Sequence, residues 1–282
     1  MVVGELLKAS VGTYLTLCAG FCVRYFTVIG GLYWILHVGF KEKWLSRRVQ
    51  EAFPPLRDVT HEIRWSMING AFTGLSGLVL YRLIHEGRTT MYFSVSDYGW
   101  MYFLASIVLG IAGYDTWIYW QHRLLHTRWL YRHVHAVHHT TNPSAFASLA
   151  RHPVEAFIEQ IYYILFIAFV PVHPAAIGAV FMLFFANGVI AHLGYEFYPR
   201  AFTRHSLLGW VSTSTYHNMH HSLEGCNYGN AFNCWDRLMG TSHPAYHRTF
   251  DAVKARVEAA TEVRRAAARP GVGESASTCP AA

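Results

Sequence analysis

The sequence predicts an all-α integral membrane protein, a helical bundle of about four spans or hairpin arms with a histidine-rich cytoplasmic cap. The chain of 282 residues is 52% hydrophobic and only 14% charged, whereas soluble domains carry about 25% charged residues. Several apolar stretches approach the roughly 20 residues that cross a bilayer. The basic residues flank those stretches and form no run interleaved with aromatics, so we expect no nucleic-acid partner.

The apolar stretches predict the helices in chain order. They are Val11–His37, Trp65–Tyr81, Tyr98–Trp120, and a hairpin of Phe157–Val170 and Ala175–Ala191 that turns at Pro171 and Pro174. The first hairpin arm is too short to cross the membrane squarely. Arg24 interrupts the first stretch, where we expect it to snorkel or to form an ion pair. The first stretch is too long for a signal peptide.

The loop charges predict the orientation. Residues 40–64 carry six Lys or Arg, residues 85–97 carry only Arg88, and residues 121–155 carry four Arg. The positive-inside rule therefore places the first and third of these loops in the cytoplasm. If the hairpin returns to its own side, everything from Arg200 onward is cytoplasmic too. All the histidine-rich segments then lie on one face of the membrane, as a shared site requires.

Three histidine boxes follow one pattern. They are HxxxH at His122 and His126, HxxHH at His135, His138 and His139, and HxxHH again at His217, His220 and His221. Residues three and four apart share one face of a helix, so each box can direct its imidazoles to one point. At this histidine frequency each HxxHH is expected roughly 0.1 times by chance. The two together therefore indicate a metal site.

Eight imidazoles are too many for one metal, because zinc sites take three or four protein ligands. They suit two metals with open positions, although imidazole alone does not select among iron, zinc, copper and nickel. A haem needs two axial ligands and would leave six histidines unexplained. The five cysteines form no CxxC pair, which argues against a disulfide scaffold, a thiolate zinc site and an iron–sulfur cluster.

Other polar residues near the boxes are candidates for supporting roles. Asp115 lies inside an apolar stretch and on one helical stripe with Tyr119 and the first box, so it could accept the free N–H of a metal-bound histidine. An interhelical hydrogen bond is the alternative. His192, which ends the hairpin, is a candidate ninth ligand. Glu196 could add an oxygen ligand or face water.

The remaining histidines are expected to play ordinary surface or core roles. His133 is out of phase with the second box, so we expect it to be exposed. The others are His37, His61, His85, His173, His205, His243 and His247.

The boxes in this order resemble the fatty acid hydroxylase/sterol desaturase superfamily of membrane di-iron enzymes. The resemblance extends to "DTWIYWQHRLLH", "VHAVHHTTNPSAFASLARHPVEA" and "HNMHHS…NYGNAFNCWDRLMGT". "HEIRWSM" and "SDYGWMYF" are most similar to the sterol C-5 desaturase (lathosterol oxidase) branch. The resemblance covers roughly residues 60–245. It divides the chain into residues 1–60 with the first span and a basic loop, a catalytic domain at 61–248, and a polar tail at 249–282. The tail is expected to form a short helix and then to become disordered.

The resemblance implies that the eight boxed histidines bind two iron ions, with His192 as an additional ligand. Some members have another histidine where this chain has Glu196. His152 and Glu155, in "HPVEA", match a shared motif with a structural or ligand-supporting role. The implied chemistry is O2 activation followed by hydrogen abstraction from a lipid, giving desaturation or hydroxylation.

Electrons for this chemistry must come from a separate ferredoxin, cytochrome b-type protein or reductase. The sequence has no CxxCH haem site and no GxGxxG dinucleotide fingerprint. Three other functions remain open. A hydroxylase of a fatty acyl chain or aminolipid would use the same centre. A non-catalytic metal carrier would string its ligands across the spans. A zinc hydrolase would need a general-base glutamate inside a box, and HxxHH has none.

Overall fold

In the computed structural model, residues 2–50, 52–139, 143–223 and 225–267 are described, with side chains from residue 9 onward. Every regular element in these ranges is helical, which confirms the all-α prediction. The tail expected to be disordered, residues 268–282, lies outside the described ranges.

Within the described ranges, four helices are long and apolar enough to cross a membrane. Helix α1 (Val2–Arg24) continues through π-helical turns at Tyr25–Gly30 and Trp34–Gly39, joined by Gly31–Tyr33. The other three are α2 (Leu56–His85), α3 (Gly99–Leu125) and α5 (Pro174–His192). Helix α2 is longer than the predicted stretch Trp65–Tyr81, because the helix continues into more polar sequence at both ends.

Helix α4 (Pro153–Phe169) forms the hairpin with α5. Its 17 residues span about 25 Å, less than the ~30 Å hydrocarbon core, as its sequence predicts. Pro153 and Pro174 stand at the first helical positions, where a missing N–H has no cost. The ring nitrogens of His152 and His173 cap the two N-termini.

Small residues let the spans approach closely. A Cβ at Gly70 of α2 would lie 2.6 Å from the ring of Phe21, and one at Gly110 of α3 would lie 2.8 Å from Val180. The first contact packs α1 on α2, and the second packs α3 on α5. The spans are therefore held by close side-chain packing, the main attraction between helices in lipid.

The cap collects at the end of the bundle where α3 and α5 terminate. Its helices are α6 (Ser214–Ser222), α7 (Cys234–Met239) and α8 (Tyr246–Ala267). It also contains short helical turns at Lys41–Trp44, Leu45–Arg47, Arg128–Leu130, Tyr131–His135, Ala136–His139, Ala145–Leu149, Phe202–Arg204 and Leu208–Trp210. One further turn, Val95–Asp97, lies before α3. Helix α8 has 22 residues, so it is longer than the short tail helix expected. It buries Phe250 and Val253 against the cap.

Candidate metal centre

Nine histidines converge where the spans meet the cap, and they form two groups. In each group the ligand nitrogens all lie within 4.8 Å of one another. The five-histidine cluster contains His122, His126, His135, His139 and His220. The four-histidine cluster contains His138, His192, His217 and His221. All eight boxed residues and the candidate ninth ligand are therefore brought together.

The two HxxHH boxes each divide their residues between the clusters. His135 and His139, four residues apart, enter the five-histidine cluster, whereas His138 enters the other. In the third box His217 and His221 enter the four-histidine cluster and His220 enters the five-histidine cluster. Neighbouring residues of a helix point about 100° apart, so one box supplies both clusters. The rings of His139 and His221 are 4.5 Å apart across the boundary.

The spacing of the ring nitrogens matches metal ligation. In the five-histidine cluster the Nε2 atoms of His122 and His135 are 3.2 Å apart, and those of His139 and His220 are 3.1 Å apart. In the other cluster His192 Nε2 lies 3.0 Å from His217 Nε2. Ligands at about 2.1 Å from one metal lie about 3.0 Å apart at a right angle and about 3.4 Å apart in a tetrahedron.

The second ring nitrogens show why these short separations indicate a metal. His122 Nδ1 lies 2.7 Å from the carbonyl oxygen of Tyr228, and His135 Nδ1 lies 2.9 Å from the carboxylate of Glu155. Both acceptors require the proton on Nδ1, so in the neutral rings both Nε2 atoms present lone pairs to each other. A cation between them removes that repulsion. The donor set therefore fits a metal.

The four-histidine cluster has the same arrangement. His138 Nδ1 lies 3.1 Å from the carbonyl oxygen of Ala150, and His192 Nδ1 lies 2.7 Å from that of Gly188. Their Nε2 atoms are 3.2 Å apart. These backbone acceptors fix the tautomer and the direction of each ring, as outer partners of metal ligands commonly do.

Burial favours the neutral form of six of the clustered histidines. It lowers the pKa of His126 to about 2, with the imidazoles of His220 and His135 acting in the same direction. Burial also lowers the pKa of His220 to about 3, although the Cys226 carbonyl partly opposes it. For His138, His139, His217 and His221 the pKa is likewise lowered, first by burial and then by neighbouring imidazoles. Neutral imidazoles are the form that binds metal.

Asp115 hydrogen-bonds to no cluster histidine in the described residues. It forms instead the interhelical hydrogen bond that was the alternative prediction. Its carboxylate accepts hydrogen bonds from the backbone N–H of Phe232 and the thiol of Cys234. Seven residues separate it from His122, which is about 10 Å along the helix. Tyr119 lies one turn closer, but its hydroxyl pairs with Thr241 at 3.0 Å. These two residues hold the 228–241 region against α3.

The carboxylate that orients a histidine is Glu155, buried near the start of α4. His152, from the same motif, caps α4 through Nδ1 and Val154 N at 3.2 Å, so its role is structural. The "HPVEA" motif thus positions α4 with one residue and His135 with another.

Glu196 neither faces water nor belongs to a histidine cluster. It is fully buried and accepts hydrogen bonds from the backbone N–H and the hydroxyl of Thr215, at 3.0 and 2.7 Å. These bonds tie it to the first turn of α6, the helix that carries the third box. A carboxylate is favourable there because the N-terminus of a helix has unsatisfied N–H groups and a positive dipole end.

Asp236 is a supporting residue that the sequence did not single out. It is fully buried, and its carboxylate accepts from the backbone N–H of Tyr228 at 2.9 Å and of Gly229 at 2.6 Å. It thereby fixes the loop whose carbonyl at Tyr228 orients His122. Its only sequence signal was its place in "FNCWDRLMGT".

Apart from His192, no histidine outside the boxes joins either cluster in the described part of the chain. His133 is exposed, as expected, and its Nδ1 pairs with its own helix at Trp129. His37 is buried and stacks on Tyr33.

A cavity of about 580 Å³ lies within the spans next to the clusters. Its walls come mainly from α1, α2, α4 and α5, with Tyr114 of α3 and a few loop residues, and they are mostly apolar. Three polar residues, Arg151, Glu159 and Asn230, line both this cavity and the space beside the histidines. Arg151 and Glu159 form an ion pair, and the Tyr114 hydroxyl donates to Glu159 at 2.5 Å. The cavity therefore meets the histidine clusters at a polar boundary.

The cavity walls were not visible in the sequence because they come from several segments that are far apart in the chain. Arg24 lines the cavity and forms no ion pair within the described ranges.

Known proteins are similar to the part of the chain that carries these histidines. Residues 107–241 match the fatty acid hydroxylase family. Lathosterol oxidase of Rattus norvegicus is 30% identical over 191 residues, which are 66% of this chain and 62% of that protein. A Delta(7)-sterol 5(6)-desaturase of Gibberella zeae is 30% identical over 161 residues, 57% of this chain and 48% of that protein. A Delta(7)-sterol 5(6)-desaturase of Aspergillus fumigatus is 28% identical over 218 residues, which are 70% of this chain and 67% of that protein.

The matched part of the chain spans about three fifths of the rat lathosterol oxidase. No solved structure matches the chain. With its four candidate spans, the protein is a multi-pass membrane protein. The family resemblance predicted from the histidine boxes is confirmed: residues 107–241 carry the fatty acid hydroxylase pattern, and the similar proteins are oxidases and desaturases of the sterol C-5 branch.

Proposed function

We propose that the protein is a membrane-bound, sterol-desaturase-like oxidase that desaturates or hydroxylates a lipid. The observation that carries this is the meeting of an apolar cavity of about 580 Å³ with nine converging histidines. Ligand cavities commonly measure about 300 to 1,000 Å³. The cavity lies among the spans, so a lipid can enter it from the bilayer without crossing water.

In this proposal the five-histidine cluster would hold one iron ion and the four-histidine cluster a second. Two irons held there would supply O2-dependent oxidation of an unactivated C–H bond. The family resemblance selects iron, since imidazole nitrogen alone suits several metals. Electrons come from a separate donor, a ferredoxin, cytochrome b-type protein or reductase, at the basic face predicted to be cytoplasmic.

The protein's own residues supply position and protection. The Nδ1 partners Tyr228, Glu155 and Ala150 hold the rings with Nε2 facing inward. The apolar walls exclude water from the substrate chain, which protects a strong oxidant from side reactions. The ion pair of Arg151 and Glu159 keeps polar groups at the boundary between lipid and metal ligands. No side chain acts as a covalent nucleophile.

Mass spectrometry of lipids from host cells tests the proposal. The host expresses the chain with a sterol supply and a broad reductase partner, and a His138→Ala/His139→Ala variant removes one ligand from each cluster. The matched control is His133→Ala, because His133 is exposed and outside both clusters.

A sterol that loses two hydrogens with the wild type and with the His133 variant, but not with the double variant, supports a sterol desaturase. A lipid that gains one oxygen under the same dependence identifies the hydroxylase alternative. Identical lipids in all three strains, together with purified protein that lacks iron, contradict the proposal.

A further inference from the structure

Arg24 is a charged side chain within the first span that has no hydrogen-bonding partner for its buried Nε. Its guanidinium carbon lies 5.2 Å from the ring centroid of Phe181 and 5.3 Å from that of Phe185, both on α5. The guanidinium is thus directed into the bundle, where it lines the large cavity. Arginine stays protonated in proteins. The faces of these two phenylalanine rings stabilise its positive charge, but they do not replace conventional hydrogen-bond acceptors for its N–H groups.

The charges on the cavity wall do not balance. Among the residues that line it, the charged ones are Arg24, Arg151 and Glu159, two cations and one anion, which leaves a formal charge of +1. Glu159 is already paired with Arg151. Arg24 is the cation left over. A charge within a membrane span is costly and marks a substrate or ion path.

Nearby polar side chains on the cavity wall do not offer Arg24 an anion. Gln160 donates to the Thr73 hydroxyl at 3.2 Å, and that hydroxyl donates to Asn69 at 3.1 Å. Asn69 in turn donates to the carbonyl oxygen of Leu149. These neutral groups hydrogen-bond to one another and supply no negative charge for Arg24.

We propose that Arg24 binds the oxyanion of an acidic lipid held in the cavity, a carboxylate or a phosphate. Guanidinium groups form paired, charge-assisted hydrogen bonds with both oxyanions. Phe185 and Phe181 precede His192 by seven and eleven residues on α5, which is roughly 10 and 16 Å along the helix. The acidic group therefore lies roughly 10 to 16 Å from the histidine clusters.

Combined with the proposed function, this placement describes the substrate. It is an elongated amphiphile whose oxidised carbon lies at the clusters and whose acidic group lies at Arg24. A fatty acid and a sterol with an acidic side chain have this form, whereas a neutral sterol leaves Arg24 unpaired. The binding step stands on Arg24 and the cavity alone; only the statement about the oxidised carbon rests on the proposed function.

Native mass spectrometry of the iron-loaded, full-length protein in a neutral detergent tests the binding step without O2 or reductant. The probes are palmitate against methyl palmitate for the carboxylate, and phosphatidic acid against diacylglycerol for the phosphate. The variants are Arg24→Gln and Arg24→Lys, with Arg57→Gln as the matched control because the Arg57 side chain is 88% exposed. Iron content and thermal midpoint show whether each variant is folded.

The wild type and the Arg57 variant are expected to bind one acidic probe about tenfold more tightly than its neutral partner. Arg24→Gln removes that preference and Arg24→Lys keeps part of it. The probe pair that shows the dependence identifies the source of the oxyanion. Equal binding of acid and neutral partner by the wild type, or an unchanged preference in Arg24→Gln, overturns the proposal. If Arg24→Gln fails to fold, Arg24→Lys replaces it: a weakened preference supports the proposal, and an unchanged preference overturns it.

The His138→Ala/His139→Ala variant separates this inference from the proposed function. It loses lipid oxidation but keeps Arg24 and the cavity, so it should still prefer the acidic probe. Arg24-dependent binding in a protein that oxidises no lipid would refute the enzyme proposal alone. Lipid oxidation without Arg24-dependent binding would refute the inference alone.

Discussion

Glu155 offers a sharp test of how the two clusters are built. Its carboxylate accepts from His135 Nδ1 at 2.9 Å and contacts no other cluster histidine in the described hydrogen bonds. In Glu155→Gln the amide is nearly the same size, but it loses the charge that makes the bond roughly twice as strong as a neutral one. Loss of such a partner typically costs 10- to 100-fold in metal affinity.

The effect should be confined to one metal, because His135 belongs to the five-histidine cluster alone. We therefore expect about one of two metals to be released from Glu155→Gln at a chelator concentration that leaves the wild type loaded. Metal content by mass spectrometry after graded chelation measures this. Glu258→Gln is the control, since Glu258 is a half-exposed residue paired with Arg200. Equal retention of both metals in Glu155→Gln, or loss of both together, would refute the reasoning.

Three further outcomes follow from the same geometry. Asp115→Asn should leave metal content unchanged and lower stability by about 1 to 3 kcal/mol, because Asp115 bonds Phe232 N and not a histidine; metal loss in chelation assays would contradict this. Gly229→Ala should lower the thermal midpoint strongly, since a Cβ there would lie 2.2 Å from the Phe232 carbonyl oxygen. Gly12→Ala, where a Cβ meets open space, should leave the midpoint unchanged. Equal midpoints for the two variants in a thermal melt would count against this prediction. Removal of each metal should destabilise the protein by about 4 kcal/mol at a free metal concentration of 1,000 times Kd. The shift in unfolding between loaded and stripped protein measures this, and no shift would mean that the clusters are not metal sites.

The sequence indicated which boxed histidines converge because their spacing is local. Histidines four apart meet on one helical face, so the boxes could be recognised before any fold was known. Their division between two clusters depends on how the boxes cross in space, and spacing alone could not show it. Of the two roles predicted for Asp115, the structure shows the interhelical hydrogen bond, because two helical turns separate Asp115 from His122.

The supporting residues were harder to predict because their partners are distant in sequence. Glu196 was expected to bind metal or to face water, and instead it anchors the helix of the third box through Thr215. Asp236 holds a loop more than a hundred residues from the histidine that the loop orients. The cavity, with Arg24 on its wall, comes mainly from four helices. Such features follow from tertiary packing, which a single sequence does not display.

The most direct test of the central claim is the iron content and X-ray absorption spectrum of the purified, full-length protein. Nine histidines in two clusters predict about two irons per chain, each with a shell of nitrogen ligands near 2.1 Å. The His138→Ala and His139→Ala single variants should each weaken a different iron, because those neighbours belong to different clusters. Less than one iron per chain after iron loading, or a first shell without nitrogen, would contradict the account.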